Sequence, residues 1–460
     1  MSGPMAFYAP LKPPDHPRPS GDRRMARALI EALTLASVPV ELASRLRSYD
    51  PTGDPVRQCR IQALGGRLAA RLLRRYARVP VERRPRAWLT YHAYHKAPDW
   101  LGPTVTAALG IPYLLAEASV APKQRDGPWA IGHAATERTI RAADLVLALT
   151  GVDAECLAPL VAPPAELRRL PPFLDPAPYR AARGERLRHR SELATRFGLD
   201  PAAPWLLAVA MMRRDVKRDS YLLLGRALAR LQDRLWQLLV VGDGPARDEI
   251  APALLRVGAE RVRFTGVMTQ AELPACYAAA DLFVWPAVRE AYGLAMLEAA
   301  ASGVPVVAGR DGGVAEVVRD GVTGMLTPAG DPDAFAAATA SLLDDPERRG
   351  AMGDRAARFV ARERSLVSAA ATLASAIEAA RAIREARRDP GPAGPPRGDR
   401  VERERAHSGP YRRRSVAQRA CAGEEVAPAG GLGGGARAQQ PALPRARDSG
   451  ASDRPDARDR

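Results

Sequence analysis

Residues 281–316, DLFVWPAVREAYGLAMLEAAASGVPVVAGRDGGVAE, constrain the fold more than any other part of the chain. An apolar run from Leu282 to Trp285 closes at Pro286 and predicts a buried strand ended by a breaker. A loop carrying Glu290 follows, then Gly293. The alanine-rich segment from Leu294 to Ser302 has no internal Gly or Pro and predicts a helix ended by Gly303. A second apolar run, Val304 to Ala308, predicts another strand, and Gly312-Gly313 turns the chain out of it. Strand, loop, helix and strand in this order make a βαβ unit of a parallel sheet. Open α/β sheets bind their ligands beyond the carboxyl ends of such strands.

The loop is built for an anion. At Ala291, Tyr292 and Gly293 the backbone enters a helix whose first N–H groups lack internal partners. Those groups and the helix dipole favour phosphate, and glycine lets the ligand approach closely. Glu290 precedes the helix and Glu298 lies inside it, eight residues on. That separation is too large for one catalytic pair on a single helical face, but it suits carboxylates holding two parts of one ligand with phosphate between them.

The same pattern recurs along the chain. Met5 to Ala9 predicts a first strand, 11–20 a proline-rich loop, and Asp22 to Leu35, after Gly21, a helix. Strands are expected at Val40 to Ala43, Ala87 to Tyr91, 111–117 and Leu145 to Leu149, with helices over 56–79 and 134–143. In HAYHKAPDW, His92 and His95 stand beside Lys96, Asp99 and Trp100 without the further ligands that a metal site needs. A ligand-binding loop fits better, with the Trp face available for stacking and His for moving a proton. The segment 176–203 reads as a linker with a short helix. A second set of apolar strands follows at Trp205 to Ala210, Leu238 to Val241 and Val262 to Thr265. The loop MMRRDVKRDSY after the first of these carries Arg213 and Lys217. Asp331-x-Asp333, ahead of AFAAATASLL, predicts a helix N-cap rather than a metal motif. A long helical pattern runs from Asp354 to about 387, and Pro/Gly/Arg-rich sequence fills 388–460, which predicts a disordered tail.

Composition narrows the function. A chain of 460 residues exceeds one ordinary core. Cys59, Cys156, Cys276 and Cys421 are scattered, which argues against a disulfide framework and for a reducing, cytoplasmic setting. No apolar run reaches the roughly 18 residues of a membrane span, and MSGPMAFYAPLK does not read as a signal peptide. The net charge of +16 is dispersed, with 5% aromatics and no nucleic-acid motif, so no nucleic-acid partner is expected. A membrane surface beside the basic helix 56–79, or an anionic substrate, suits the charge better. Only Lys12, Lys96, Lys123 and Lys217 are lysine. Where arginine is the default base, a surviving lysine is a candidate point charge for phosphate, above all Lys217.

Glu290-x7-Glu298, with AYGL after the first Glu and ASGVPVVA after the second, resembles the donor site of retaining GT-B glycosyltransferases, closest to glycosyltransferase family 4. The resemblance implies two Rossmann-like doubly wound α/β domains facing an interdomain cleft, with a C-terminal helix crossing back to the first. The expected boundaries are 1–178 for the acceptor domain, 179–203 for the linker, 204–352 for the donor domain, 353–387 for the returning helices and 388–460 for the tail. It implies a nucleotide diphosphate-sugar donor, an acceptor hydroxyl, no metal and no cofactor. By the same resemblance Glu290 contacts the sugar, Ala291, Tyr292, Gly293 and Leu294 hold the diphosphate, and Glu298 binds ribose. Arg213 and Lys217 add cations, Gly21 faces the phosphates from the first domain, and the backbone at Val267 meets the base. Relatives carry a histidine past the strand 111–117. Glu117, Ala118 and Ser119 stand there instead, leaving Glu117, Ser119, His92, His95 and His133 as candidates beside the anomeric carbon. Glu290, Glu117 and His95 form the expected catalytic set. A GT-B epimerase, a phosphorylase and a non-catalytic sugar-nucleotide-binding protein are the alternatives.

Overall fold

The computed structural model describes residues 3–18 and 20–388; from residue 389 on, the expected tail lies outside the described residues. Strands β1 (Met5–Tyr8), β2 (Val40–Ser44), β3 (Ala87–Ala93), β4 (Tyr113–Ala118), β5 (Leu145–Ala148) and β6 (Glu166–Arg169) form one sheet in the order 2-1-3-4-5-6. Strands β7 (Trp205–Val209), β8 (Gln237–Val241), β9 (Val262–Gly266), β10 (Leu282–Trp285), β11 (Val306–Gly309) and β12 (Gly324–Thr327) form a second, in the order 12-11-10-7-8-9. Every pairing between these strands is parallel.

Helices α1 (Gly21–Leu35), α2 (Pro55–Arg78), α3 (Gly102–Leu109), α4 (Ala130–Ala142) and α5 (Gly151–Leu157) accompany the first sheet. Helices α6 (Ala177–Gly184) and α7 (Arg186–Phe197) then lead to the second, so the expected linker is mostly helical. Helices α8 (Val216–Leu228), α9 (Arg247–Leu255), α10 (Leu273–Ala279), α11 (Leu294–Ala301), α12 (Pro332–Leu343) and α13 (Pro346–Glu363) accompany the second sheet, and α14 (Leu366–Arg388) ends the described chain. Asp331 caps α12 by accepting from the N–H groups of Asp333 and Ala334.

Strand alternation divides the first lobe's core in two. Phe7, Leu89, Leu114 and Leu147 face α1 and α14, while Ala6, Tyr8, Trp88 and Leu115 face the opposite layer. Helices on both faces explain why these strands read as continuous apolar runs. Between the lobes the chain crosses twice, side by side: the Leu174 N–H donates to Arg364 O (3.0 Å) and the Leu366 N–H to Leu174 O (3.0 Å).

Helix α14 then returns to the first lobe. Ala369, Leu373, Ala376, Ile377 and Ala380 enter the core beside Leu29 and Leu33 of α1. Its end is held by Asp144, fully buried, which pairs with Arg384 and Arg387 at 2.8 Å and accepts from the Tyr113 N–H at 2.8 Å. By length and composition α14 could cross a membrane, unlike the expectation from the sequence, because its alanines count as apolar; its apolar face is packed in this core. Cys59 is an exposed and Cys276 a buried free thiol.

Candidate functional site

Both strand orders contain a switch point. In the second sheet β7 and β10 are neighbours whose onward connections leave in opposite directions, and in the first sheet β1 and β3 do the same. Loops at such a point splay apart and leave a crevice at the carboxyl edge. The two crevices meet in one cavity of about 310 Å³. Ser20, Gly21, Asp22, His92 and Glu117 line it from the first lobe; Arg213, Lys217, Trp285, Glu290 and residues 291–296 line it from the second.

On the second-lobe wall, Asp215 caps α8 by accepting from the Lys217 N–H at 2.9 Å. Lys217 therefore stands on the first turn of a helix, not in the loop expected from the sequence. Its Nζ pairs with Glu290, which also accepts from Trp285 Nε1 at 3.1 Å. Arg213, half exposed, lies 3.0 Å from Asp215. The Glu290 loop is held at several points: Val288 N–H to Ser220 Oγ (3.0 Å), Arg289 N–H to Asp311 (2.7 Å) and Gly313 N–H to Ala291 O (2.7 Å). A Cβ at Gly312 or Gly313 would overlap the carbonyl oxygen of Glu290 or Ala291, which is the physical reason for the Gly-Gly pair. The backbone N–H groups of residues 291–295 have no hydrogen-bond partner among the described residues, so the start of α11 offers unfilled donors to the cavity.

On the first-lobe wall, Ser20 caps α1 by accepting from the Arg23 N–H at 3.2 Å, leaving Gly21 at the cavity edge. His92 and Glu117 end adjacent strands with positive φ, 59° and 54°. For residues with side chains that conformation costs about 1–3 kcal/mol, and it concentrates at functional sites. His92 Nδ1 lies 3.1 Å from Asp22 and 3.3 Å from Glu117, near enough for ion pairing though not aligned for a hydrogen bond. Burial disfavours the imidazolium, but Glu117 and Asp22 outweigh it and push His92 up to about 9. Burial raises Glu117 above the usual carboxylate range despite the His92 charge. Asp22 is only half-buried, and the neighbouring His92, with Lys12, holds it below that range. Tyr292 crosses from the second lobe into the first lobe's core, and its hydroxyl lies 3.5 Å from Glu117.

Next to this cavity lies a second, of about 350 Å³, which shares Leu294 with it and is lined by Arg24, Tyr179, Gln270 and Glu298. Glu298 is buried, accepts from Tyr277 OH at 2.6 Å, and pairs with Arg24 across the lobes.

The structure separates other residues from the site. His95 does not line either cavity; it lies beside Trp129, with ring centroids 5.8 Å apart, and burial with the Lys96 and His133 charges lowers it to about 4. The strand runs two residues further than expected, and His92 rather than the expected His95 lines the cavity. Asp99 is buried as an acceptor for Tyr113 OH (2.8 Å) and the Leu101 and Gly102 N–H groups, and Trp100 packs on Gly65 of α2. Neither lines either of these two cavities. Val267 is exposed beyond β9 and lines neither cavity. Asp22 and Arg24 were missed as site residues, because in sequence they are ordinary positions in a helix's first turns.

Residues 203–345 match the family described as Glycosyl transferases group 1. Among curated proteins, the chain is 36% identical over 233 residues to a GDP-mannose-dependent alpha-(1-6)-phosphatidylinositol monomannoside mannosyltransferase of Mycolicibacterium smegmatis, covering 48% of this chain and 59% of that protein. It is 36% identical over 262 residues to a D-inositol 3-phosphate glycosyltransferase of Catenulispora acidiphila, covering 54% and 60%. The chain thus spans about three-fifths of the length of these relatives. A trehalose-phosphate synthase (UDP-forming) from Burkholderia xenovorans, in complex with glucose-6-phosphate, superposes with a TM-score of 0.63 at 14% identity, covering 82% of this chain and all of that one. Anabaena HepE in complex with UDP and glucose gives 0.59 at 18%, covering 81% and 99%. The fold is GT-B, as the resemblance implied.

Proposed function

We propose that this GT-B chain, which resembles glycosyltransferase family 4 and carries a glycosyl transferases group 1 match over residues 203–345, moves a sugar from a nucleoside diphosphate-sugar to an acceptor hydroxyl. We take the transfer to proceed with retention and without metal or cofactor. The observation that carries the reading is one cavity where two cations and a row of unfilled N–H groups face a carboxylate–imidazolium cluster from the other lobe. Arg213, Lys217 and the amides at the start of α11 supply positive charge to a diphosphate leaving group, the role a metal plays elsewhere. Glu290 is the acceptor for sugar hydroxyls, and Glu298 for ribose hydroxyls in the adjoining cavity. Glu117 faces the positive charge that develops at the anomeric carbon, with His92 holding it against the first lobe. Retention rests on the family resemblance alone. The names of the relatives suggest an inositol-bearing or similar polyhydroxylated acceptor.

Thermal-shift screening against UDP-, GDP-, ADP- and dTDP-sugars tests the donor, because a ligand that binds only the folded state raises its melting temperature. One nucleotide class should stabilise strongly; the shift should disappear in Lys217→Ala and survive EDTA. No shift with any of them would sink the reading. Incubation with donor alone, followed by NMR of the sugar, would expose an epimerase as an altered hexose.

The second partner we propose is an anionic membrane surface, on the cytoplasmic side. Helix α2 carries seven arginines and no acidic residue. Arg60, Arg67, Arg71, Arg74 and Arg78 have no ion pair among the described residues, and Val56 and Leu64 are exposed beside them. Wild type should sediment with phosphatidylinositol-containing vesicles, and Arg67→Glu/Arg71→Glu should not. Equal sedimentation of the two would remove α2 as the contact.

A further inference from the structure

We infer that a second anion site, for a phosphate ester, lies on the first lobe at the opposite end of its sheet from the catalytic cavity. Arg86 immediately precedes β3 and Pro112 immediately precedes β4, so this cavity opens at the amino edge of the strands. It holds about 480 Å³ and brings Arg86 together with Arg381, Arg384 and Arg388 of α14. Spacings of three and four residues set the three α14 arginines on one helical face. Glu385 is the one acidic residue in the lining, and Ile111 contributes an apolar wall.

The charges there are unequally satisfied. Arg384 is committed to Asp144 at 2.8 Å, and Arg381 lies 3.3 Å from Glu378. Arg86 and Arg388 form no ion pair among the described residues. Gly110 ends α3 with a φ of +63°, and a Cβ there would overlap the Arg388 guanidinium. The absent Cβ thus lets that group approach the carboxyl end of α3, where the helix dipole favours a cation. Guanidinium groups brought from two elements into one concavity match the forked, bidentate recognition of phosphate oxygens. A phosphate ester seated here would tie the last turn of α14 to the edge of the sheet.

Calorimetric titration of the full chain with inorganic pyrophosphate tests the site. Two binding events are expected in wild type, one here and one in the catalytic cavity. Arg86→Ala/Arg388→Ala should lose one event, with affinity falling about tenfold or more, as removal of charge-assisted hydrogen bonds predicts. It should retain the other event and wild-type transfer activity. Arg213→Ala/Lys217→Ala should show the complementary loss. Phosphatidylcholine vesicles with and without phosphatidic acid separate the sources: binding that depends on phosphatidic acid and on Arg86 and Arg388 assigns a lipid headgroup, and pyrophosphate binding alone assigns a soluble ester. Unchanged pyrophosphate binding in Arg86→Ala/Arg388→Ala would overturn the site. An unchanged titration of Arg213→Ala/Lys217→Ala would instead count against the proposed donor site and leave this one standing.

Discussion

His92 shows how little one residue's meaning depends on its neighbours in sequence. In HAYHKAPDW two histidines stand three apart, and nothing local separates them. In the fold one is pushed up to about 9 between carboxylates, and the other is lowered to about 4 beside cations. The direction for His92 has a measurable consequence. Burial opposes its charge, but Glu117, Asp22 and Asp153 favour it, so its pKa in the folded chain lies above the ordinary 6.5. The stabilisation is fully present below 6.5 and is lost as pH rises through about 9. The stability of wild type relative to His92→Gln, from urea unfolding, should therefore be greatest below 6.5 and shrink across that window. A difference that stays constant with pH would show that the His92 charge contributes nothing.

At the scale of elements, the stretch 281–316 was legible because its signals are local: apolar runs, a breaker, an alanine-rich helix and paired glycines. The strands appear at Leu282–Trp285 and Val306–Gly309 and the helix at Leu294–Ala301, close to the expected limits. Sequence could not show why two glycines end the unit. The Gly313 N–H meets Ala291 O at 2.7 Å, so the turn serves as the floor of the Glu290 loop. Gly312→Ala should displace that loop and strain a φ of +51°, lowering stability by about 1–3 kcal/mol and transfer by a larger factor. Urea unfolding and initial rates, measured together, check this; a variant with wild-type rates would show that the loop does not depend on the turn. The start of α8 was misplaced for a similar reason. Asp215 is an N-cap in MMRRDVKRDSY, a signal present in the sequence but obscured by the flanking arginines.

For the whole molecule, α14 joins the last described residues to the first lobe. Asp144 has no accessible surface and holds Arg384, Arg387 and the Tyr113 N–H together. Asp144→Ala would leave two arginines without their carboxylate in a partly buried setting, and stability should fall by about 3–5 kcal/mol. A urea midpoint within error of wild type would show that α14 is held by its apolar face alone. The returning helix was expected from the family resemblance, and its alanine periodicity is visible in the chain; the partner Asp144, some 240 residues earlier, is not. What the sequence determined by itself is whatever depends on neighbours along the chain: parallel strands from unbroken apolar runs, helix starts from caps, and an anion-binding turn from Gly293 and a carboxylate. Only the tertiary structure decided which lobes meet, that His92 rather than His95 reaches Glu117, and that Lys217 pairs with Glu290. Those outcomes follow from strand order and lobe packing, which bring together side chains whose separation in sequence carries no periodic signal.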